Sequence, residues 1–135
     1  MDSEEAFVDV EQDVRSFRDL IVWHRSIQLS VSVYEFTRTF PSDELYGLRS
    51  QVRRAAVSIS SNIAEGSGRR STGELIQFLG IARGSNYEVQ AQLLIARELG
   101  FGLEVNCTKC EQLSHEVEKM LNALITSVAK PKPSK

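Results

Sequence analysis

From Leu45 to Leu99 the chain holds two apolar-periodic runs interrupted only around Gly66-Ser-Gly68, and this pair constrains the fold more than any other feature. In the first run Leu45, Leu48, Val52, Ala55 or Ala56, Ile59 and Ile63 recur at steps of three and four, the spacing that lines one face of a helix. The run stops at Gly66, in the position where a left-handed helix end needs glycine. The second run follows Ser71, which stands three residues before Glu74 in the spacing of a capping box. It carries Leu75, Phe78, Leu79, Ala82, Val89, Leu93 and Ala96 on one side. Two helices joined by so short a turn must lie antiparallel.

The flanks repeat the pattern. A first helix is predicted over about 19–39, capped by Asp19, with Leu20, Trp23 or His24, Ile27, Val31, Tyr34 and Arg38 in step. Ile21, Val33, Phe36 and Phe40 widen that stripe, and Pro41-Ser-Asp breaks it. The second helix is predicted over about 44–65, capped by Ser42 or Asp43, with Glu44 near its positive end. The third spans about 72–99 and stops at Gly100-Phe-Gly102; the fourth spans about 104–129. That fourth segment has the cleanest heptad: Cys110, Leu113, Val117, Met120 or Leu121, Leu124 and Val128. The expectation is an all-α, antiparallel up-down-up-down four-helix bundle over residues 17–129. Residues 1–16 read as an acidic flexible tail, and 130–135 (Lys-Pro-Lys-Pro-Ser-Lys) as a disordered basic one.

Helices one and three are apolar over more than one stripe; on the third, Ile76, Ile81, Tyr87, Leu94 and Ile95 lie away from the main face. One bundle has one core to fill, so the excess predicts a cyclic homo-oligomer. Gly80 and Gly84 inside the third helix each cost about 1 kcal/mol relative to alanine, which the close approach of a neighbouring helix would explain.

No apolar run approaches the roughly 20 residues that span a bilayer, and the acidic start lacks a signal-peptide pattern, so a cytoplasmic protein without membrane contact is expected. The net charge of −2 hides an asymmetry. Residues 1–13 carry six acidic residues and no basic one, whereas 14–135 hold 16 basic and 12 acidic residues. Between Arg38 and Arg97 there are eight arginines and no lysine. Arginine suits bidentate ion pairs and phosphate contacts. Arg53, Arg54, Arg69 and Arg70 are the candidate nucleic-acid-binding residues, the last two just before a helix N-terminus that attracts anions. The six carboxylates of the front segment would compete for such a surface as an internal polyanion mimic; deleting residues 1–13 should then tighten RNA or DNA binding at low salt.

A turn centred between residues 66 and 71 would place Arg49 opposite Glu88 and Arg53 opposite Gly84-Ser85. A buried lone carboxylate is costly, so Arg49 or Arg53 is expected to partner Glu88 in a structural polar clamp, with Asn62 and Ser58 as buried hydrogen-bonding groups. Cys107-x-x-Cys110 has only His115 and a distant His24 to complete a zinc site, which needs about four ligands, and Cys110 falls in the core heptad. Neither histidine stands at a recognisable triad spacing. No catalytic residue, metal or cofactor is therefore assigned, and an enzyme is the weakest reading.

Three strings carry a resemblance. They are Phe17-x-x-Leu20-x-x-Trp23; Leu48-x-x-Gln51-x-Arg53-Arg54-Ala55-Ala56-x-Ser58-Ile59-x-x-Asn62-Ile63-Ala64-Glu65-Gly66; and Phe78-Leu79-x-Ile81-Ala82-x-Gly84-Ser85-x-x-Glu88. Together they resemble the bacterial four-helix-bundle proteins named after intervening sequences of 23S ribosomal RNA genes, over about residues 17–102. The resemblance implies a bundle that assembles as a ring, with the homopentamer favoured, and transfers no catalytic residue. A related bundle, the accessory variability protein of diversity-generating retroelements, works as a basic pentamer with a reverse transcriptase and nucleic acid; this chain departs from it in being slightly acidic overall. The expected partners are thus further copies of the chain and RNA, DNA or a nucleoprotein. The alternative is a protein-interaction module that touches no nucleic acid.

Overall fold

A computed structural model describes Phe17 and residues 20–131. Its elements are α1 (Ile21–Thr37), a single 3₁₀ turn (Ser42–Glu44), α2 (Leu48–Ser67), α3 (Thr72–Leu99) and α4 (Glu104–Ala129). Contacts close a circuit in which α1 packs on α2, α2 on α3, α3 on α4 and α4 back on α1. Adjoining helices run antiparallel. Arg49, early in α2, reaches the Phe40 carbonyl just past the end of α1, and Ser58 meets Ser85 between α2 and α3. Arg83 meets Asn122 between α3 and α4, and Arg25, early in α1, pairs with Glu116 in α4. The fold is the expected all-α four-helix bundle. The predicted tails, apart from Lys130 and Pro131, lie outside the described residues, as does Asp19.

Local chemistry sets the two longest helices. The Ser71 hydroxyl accepts from the Glu74 amide at 3.1 Å and starts α3, as its spacing predicts. Gly100, at φ 72°, closes α3 in the left-handed conformation. Gly102, at φ 73°, is held there by packing too: a Cβ would lie 2.5 Å from Phe36 Cε1. The turn between α3 and α4 thereby seals one end of the core, where Phe40 meets Phe36 edge-to-face and Phe101 at a tilt, at centroid distances of 5.0 and 5.5 Å.

The first two helices depart from expectation. The N-cap of α1 is Leu20, and the buried stripe is Val22, Ser26, Leu29, Val33, Phe36 and Phe40. Val31 and Tyr34, placed on the predicted stripe, are exposed. Leu29 decides this: burying it rotates α1 away from them. Helix α2 starts four residues later than predicted, because Glu44 stays outside it and its Oε1 accepts from the Leu48 amide at 2.9 Å. It also runs through Gly66 to Ser67, and its C-cap is Gly68 in a right-handed conformation. Gly66 is therefore not a left-handed stop. It is buried against α3, where a Cβ would lie 2.8 Å from the Phe78 Cβ. Gly80 and Gly84 reverse the other way. A Cβ at either meets nothing within 4 Å, so no other helix among the described residues approaches them closely.

The outer face of α3 keeps its surplus of apolar groups, with Ile81, Tyr87, Leu94, Ile95 and Leu99 all exposed. No helix among the described residues is long and apolar enough to cross a membrane.

Candidate functional site

Extension of α2 past Gly66 moves the turn toward α3 and shifts the register between the two helices. Ser58, rather than Arg53, faces Ser85, at 2.9 Å between hydroxyls. The predicted Arg–Glu88 clamp consequently does not form. Arg49 turns to the segment just past α1, where Nη2 donates to the Phe40 carbonyl at 3.0 Å. Arg53 turns to α1 itself: Nε donates to Thr37 Oγ1 at 2.7 Å, Nη2 to the Tyr34 carbonyl at 3.3 Å, and the guanidinium lies 4.3 Å from the Tyr34 ring centroid. Glu88 is exposed, so it pays no desolvation cost that a partner would have to offset. Asn62 donates to the Ser58 carbonyl and hydroxyl at 2.8 and 3.0 Å, as a hydrogen-bonding group within α2.

The same rotation gathers positive charge along the seam of α1 and α2. Tyr34, Leu45, Arg49, Ser50, Arg53, Arg54 and Val57 line a groove of about 410 Å³. Burial is the first cause that pulls the Arg53 guanidinium below the ordinary arginine value, with neighbouring Arg49 and Arg38 adding to it and Tyr34 opposing. Among the described residues, none of Arg38, Arg49, Arg53 and Arg54 makes an ion pair. Like charges held together without a counter-charge favour any anion that enters.

Arg54 stands on a ridge and also lines a second groove, of about 330 Å³, between α2 and α3 with Gln51, Ala55, Ser58, Ser85, Glu88 and Gln92. Its two serines are engaged by the Ser58–Ser85 and Asn62–Ser58 bonds. Its walls are not: Gln92 Oε1 is buried without a partner, and no hydrogen bond or ion pair engages the side chains of Gln51, Arg54 or Glu88 among the described residues.

Arg69 and Arg70 lie elsewhere. They follow α2, roughly 24 Å along its axis from Arg53 at 1.5 Å per residue, so the four arginines singled out in the sequence split into two groups. Arg69 is engaged already, pairing with Glu65 and, at 3.9 Å, with Glu74, while its guanidinium lies 4.8 Å from the Phe78 ring centroid. Arg70 is exposed. Sequence reasoning missed Tyr34 and Arg38 as neighbours of Arg53. Their four-residue spacing on α1 was visible, but which α2 residues they would face was not.

Cys107 and Cys110 are buried free thiols on α4. Burial raises both, Cys110 to about 11, so they remain protonated and pack as small apolar groups. No group of three metal-ligating side chains occurs among the described residues.

Comparison with known proteins matches residues 18–123 to a family model described as 23S rRNA-intervening sequence protein. A crystal structure of a protein of unknown function from the S23 ribosomal protein family of Bacteroides thetaiotaomicron superposes with a TM-score of 0.70 at 22% identity, covering 78% of this chain and 98% of that one. That likeness establishes the bundle fold. No curated protein matches the chain.

Proposed function

The chain belongs to the 23S rRNA-intervening sequence protein family, and from that premise we propose that it is a non-enzymatic, cytoplasmic scaffold that binds nucleic acid or a nucleoprotein through the groove between α1 and α2. The observation that carries this reading is the group Arg38, Arg49, Arg53 and Arg54, uncompensated by any carboxylate in ion-pair reach among the described residues. A phosphate backbone supplies the missing charge, and two or more arginines contacting it make binding steeply salt-dependent. The scaffold is a ring-shaped homo-oligomer, with the pentamer favoured. Support for assembly comes from the apolar outer face of α3, where Leu94 and Leu99 are 54% and 58% exposed. In a ring each groove repeats, and a modest charge per subunit becomes a continuous basic rim. The apolar residues Tyr34, Leu45 and Val57 in the groove favour a second reading, a protein-interaction module without nucleic-acid contact.

Binding of single-stranded and structured RNA across a salt series tests the proposal. The double variant Arg53→Gln/Arg54→Gln should bind about tenfold or more weakly at low salt, with a salt slope reduced by roughly 1.4–1.8 for two lost phosphate contacts. Arg69→Gln/Arg70→Gln should stay within about twofold of the parent. No RNA or DNA binding at low salt would leave the interaction module. Sedimentation at high micromolar concentration tests the ring, and a stable monomer there would end it.

A further inference from the structure

We propose that the second groove, between α2 and α3, is a pocket for a single nucleobase, with guanine preferred, so that a single strand crosses α2 with its phosphates on the arginine side and one base inserted beyond the Arg54 ridge. This rests on the nucleic-acid reading above and adds the identity of what is read. The two grooves differ in sign. The first has three arginines and no carboxylate in its walls; the second has Arg54 and Glu88 facing one space without pairing. A phosphate entering the second groove would meet the Glu88 carboxylate, whereas a neutral ligand offering donors on one edge and acceptors on another satisfies both walls.

Guanine has that pattern. Its N1–H and exocyclic amine are donors for the Glu88 carboxylate, which lines the groove. Its O6 and N7 are acceptors for a guanidinium, the commonest specific contact of arginine with a base. Adenine presents an acceptor at N1 where guanine presents a donor, and would set a lone pair against the carboxylate. Ser58 and Ser85, also in the lining, are bonded to each other, and Ser58 accepts from Asn62 as well. A volume of about 330 Å³ admits one splayed base and not a duplex, and single strands are the form in which proteins read the pairing edge of a base.

The test is fluorescence anisotropy of the full chain with a short single-stranded oligo-A RNA and with the same RNA carrying one central guanosine, which avoids self-association of G-tracts. The guanosine probe is expected to bind about tenfold more tightly, the scale of one good bidentate base contact. Glu88→Gln should remove that preference while leaving oligo-A binding equal or tighter. Glu88 is exposed and makes no contact needed for folding, so the variant remains folded. Equal affinity for the two probes, or a preference that survives Glu88→Gln, would overturn the base pocket and leave the phosphate groove standing. Failure of both probes to bind at low salt would overturn the pocket and the nucleic-acid reading together.

Discussion

The seam between α3 and α4 and the outer surface of α2 are both rich in polar groups, yet they spend them differently. Along the α3/α4 seam the groups satisfy one another. Asn86, fully buried, donates to the Ser114 carbonyl at 2.9 Å and accepts from the Ser114 hydroxyl at 2.8 Å. Gln90 bonds Glu118, Arg83 bonds Asn122, and Arg97 pairs with Glu104 and Glu111. The Glu111 bond in particular holds Arg97 above the ordinary arginine value. On α2, Arg49 and Arg53 are anchored to α1 and the segment just past it by backbone and hydroxyl acceptors that carry no charge, and the walls of the second groove have no partners among the described residues. Bonds that complete each other fix register. Donors and acceptors left over are what a ligand can use.

That contrast is broken or sharpened by substitution, and the largest effect belongs to the seam. Asn86→Ala removes both bonds to Ser114, strands its buried hydroxyl and leaves a void in the seam; it should lower unfolding stability by about 2–4 kcal/mol, read by urea denaturation. Arg54→Gln should leave the unfolding stability within about 0.5 kcal/mol of the parent, as surface substitutions do. Equal losses from the two would erase the distinction. A smaller effect is expected from Arg97→Ala, whose stability loss should shrink in high salt because its ion pairs are exposed to screening. An unchanged loss in high salt would mean that packing of the arginine stem matters more than its charge.

The last is a pH effect within the core, confined to alkaline solution. The folded Cys110 thiol sits at about 11, above its ordinary value of 9.0, so folding favours the protonated form. The resulting stability is present in full below pH 9 and is lost as pH rises toward 11. Cys110→Ala should lose less stability than the parent over that window, whatever its offset at neutral pH. Parallel curves for the two would show that the thiol does not titrate differently on folding.

How legible the site was depended on how far each signal reaches. The bounds of α3 were readable because Ser71 and Gly100 act through their own backbone neighbours. The arginines could be singled out as a class, since no lysine interrupts them from Arg38 to Arg97. Their partners could not. Glu44, expected within the second helix, caps it from outside, and Gly66, expected to stop that helix, sits inside it against Phe78. In the structure Ser58 stands where Arg53 was expected, and Arg49 and Arg53 turn to α1 and the residues just past it.

By itself, then, the sequence determined that this chain makes four antiparallel helices, through apolar periodicity and short capped turns that operate within a few residues. Only the tertiary structure decided which face of each helix is buried and which arginines share a groove. Burial of Leu29 and the close approach at Gly66 are contacts between distant segments, and a shift of one helical turn in either exchanges every side-chain pairing beyond it.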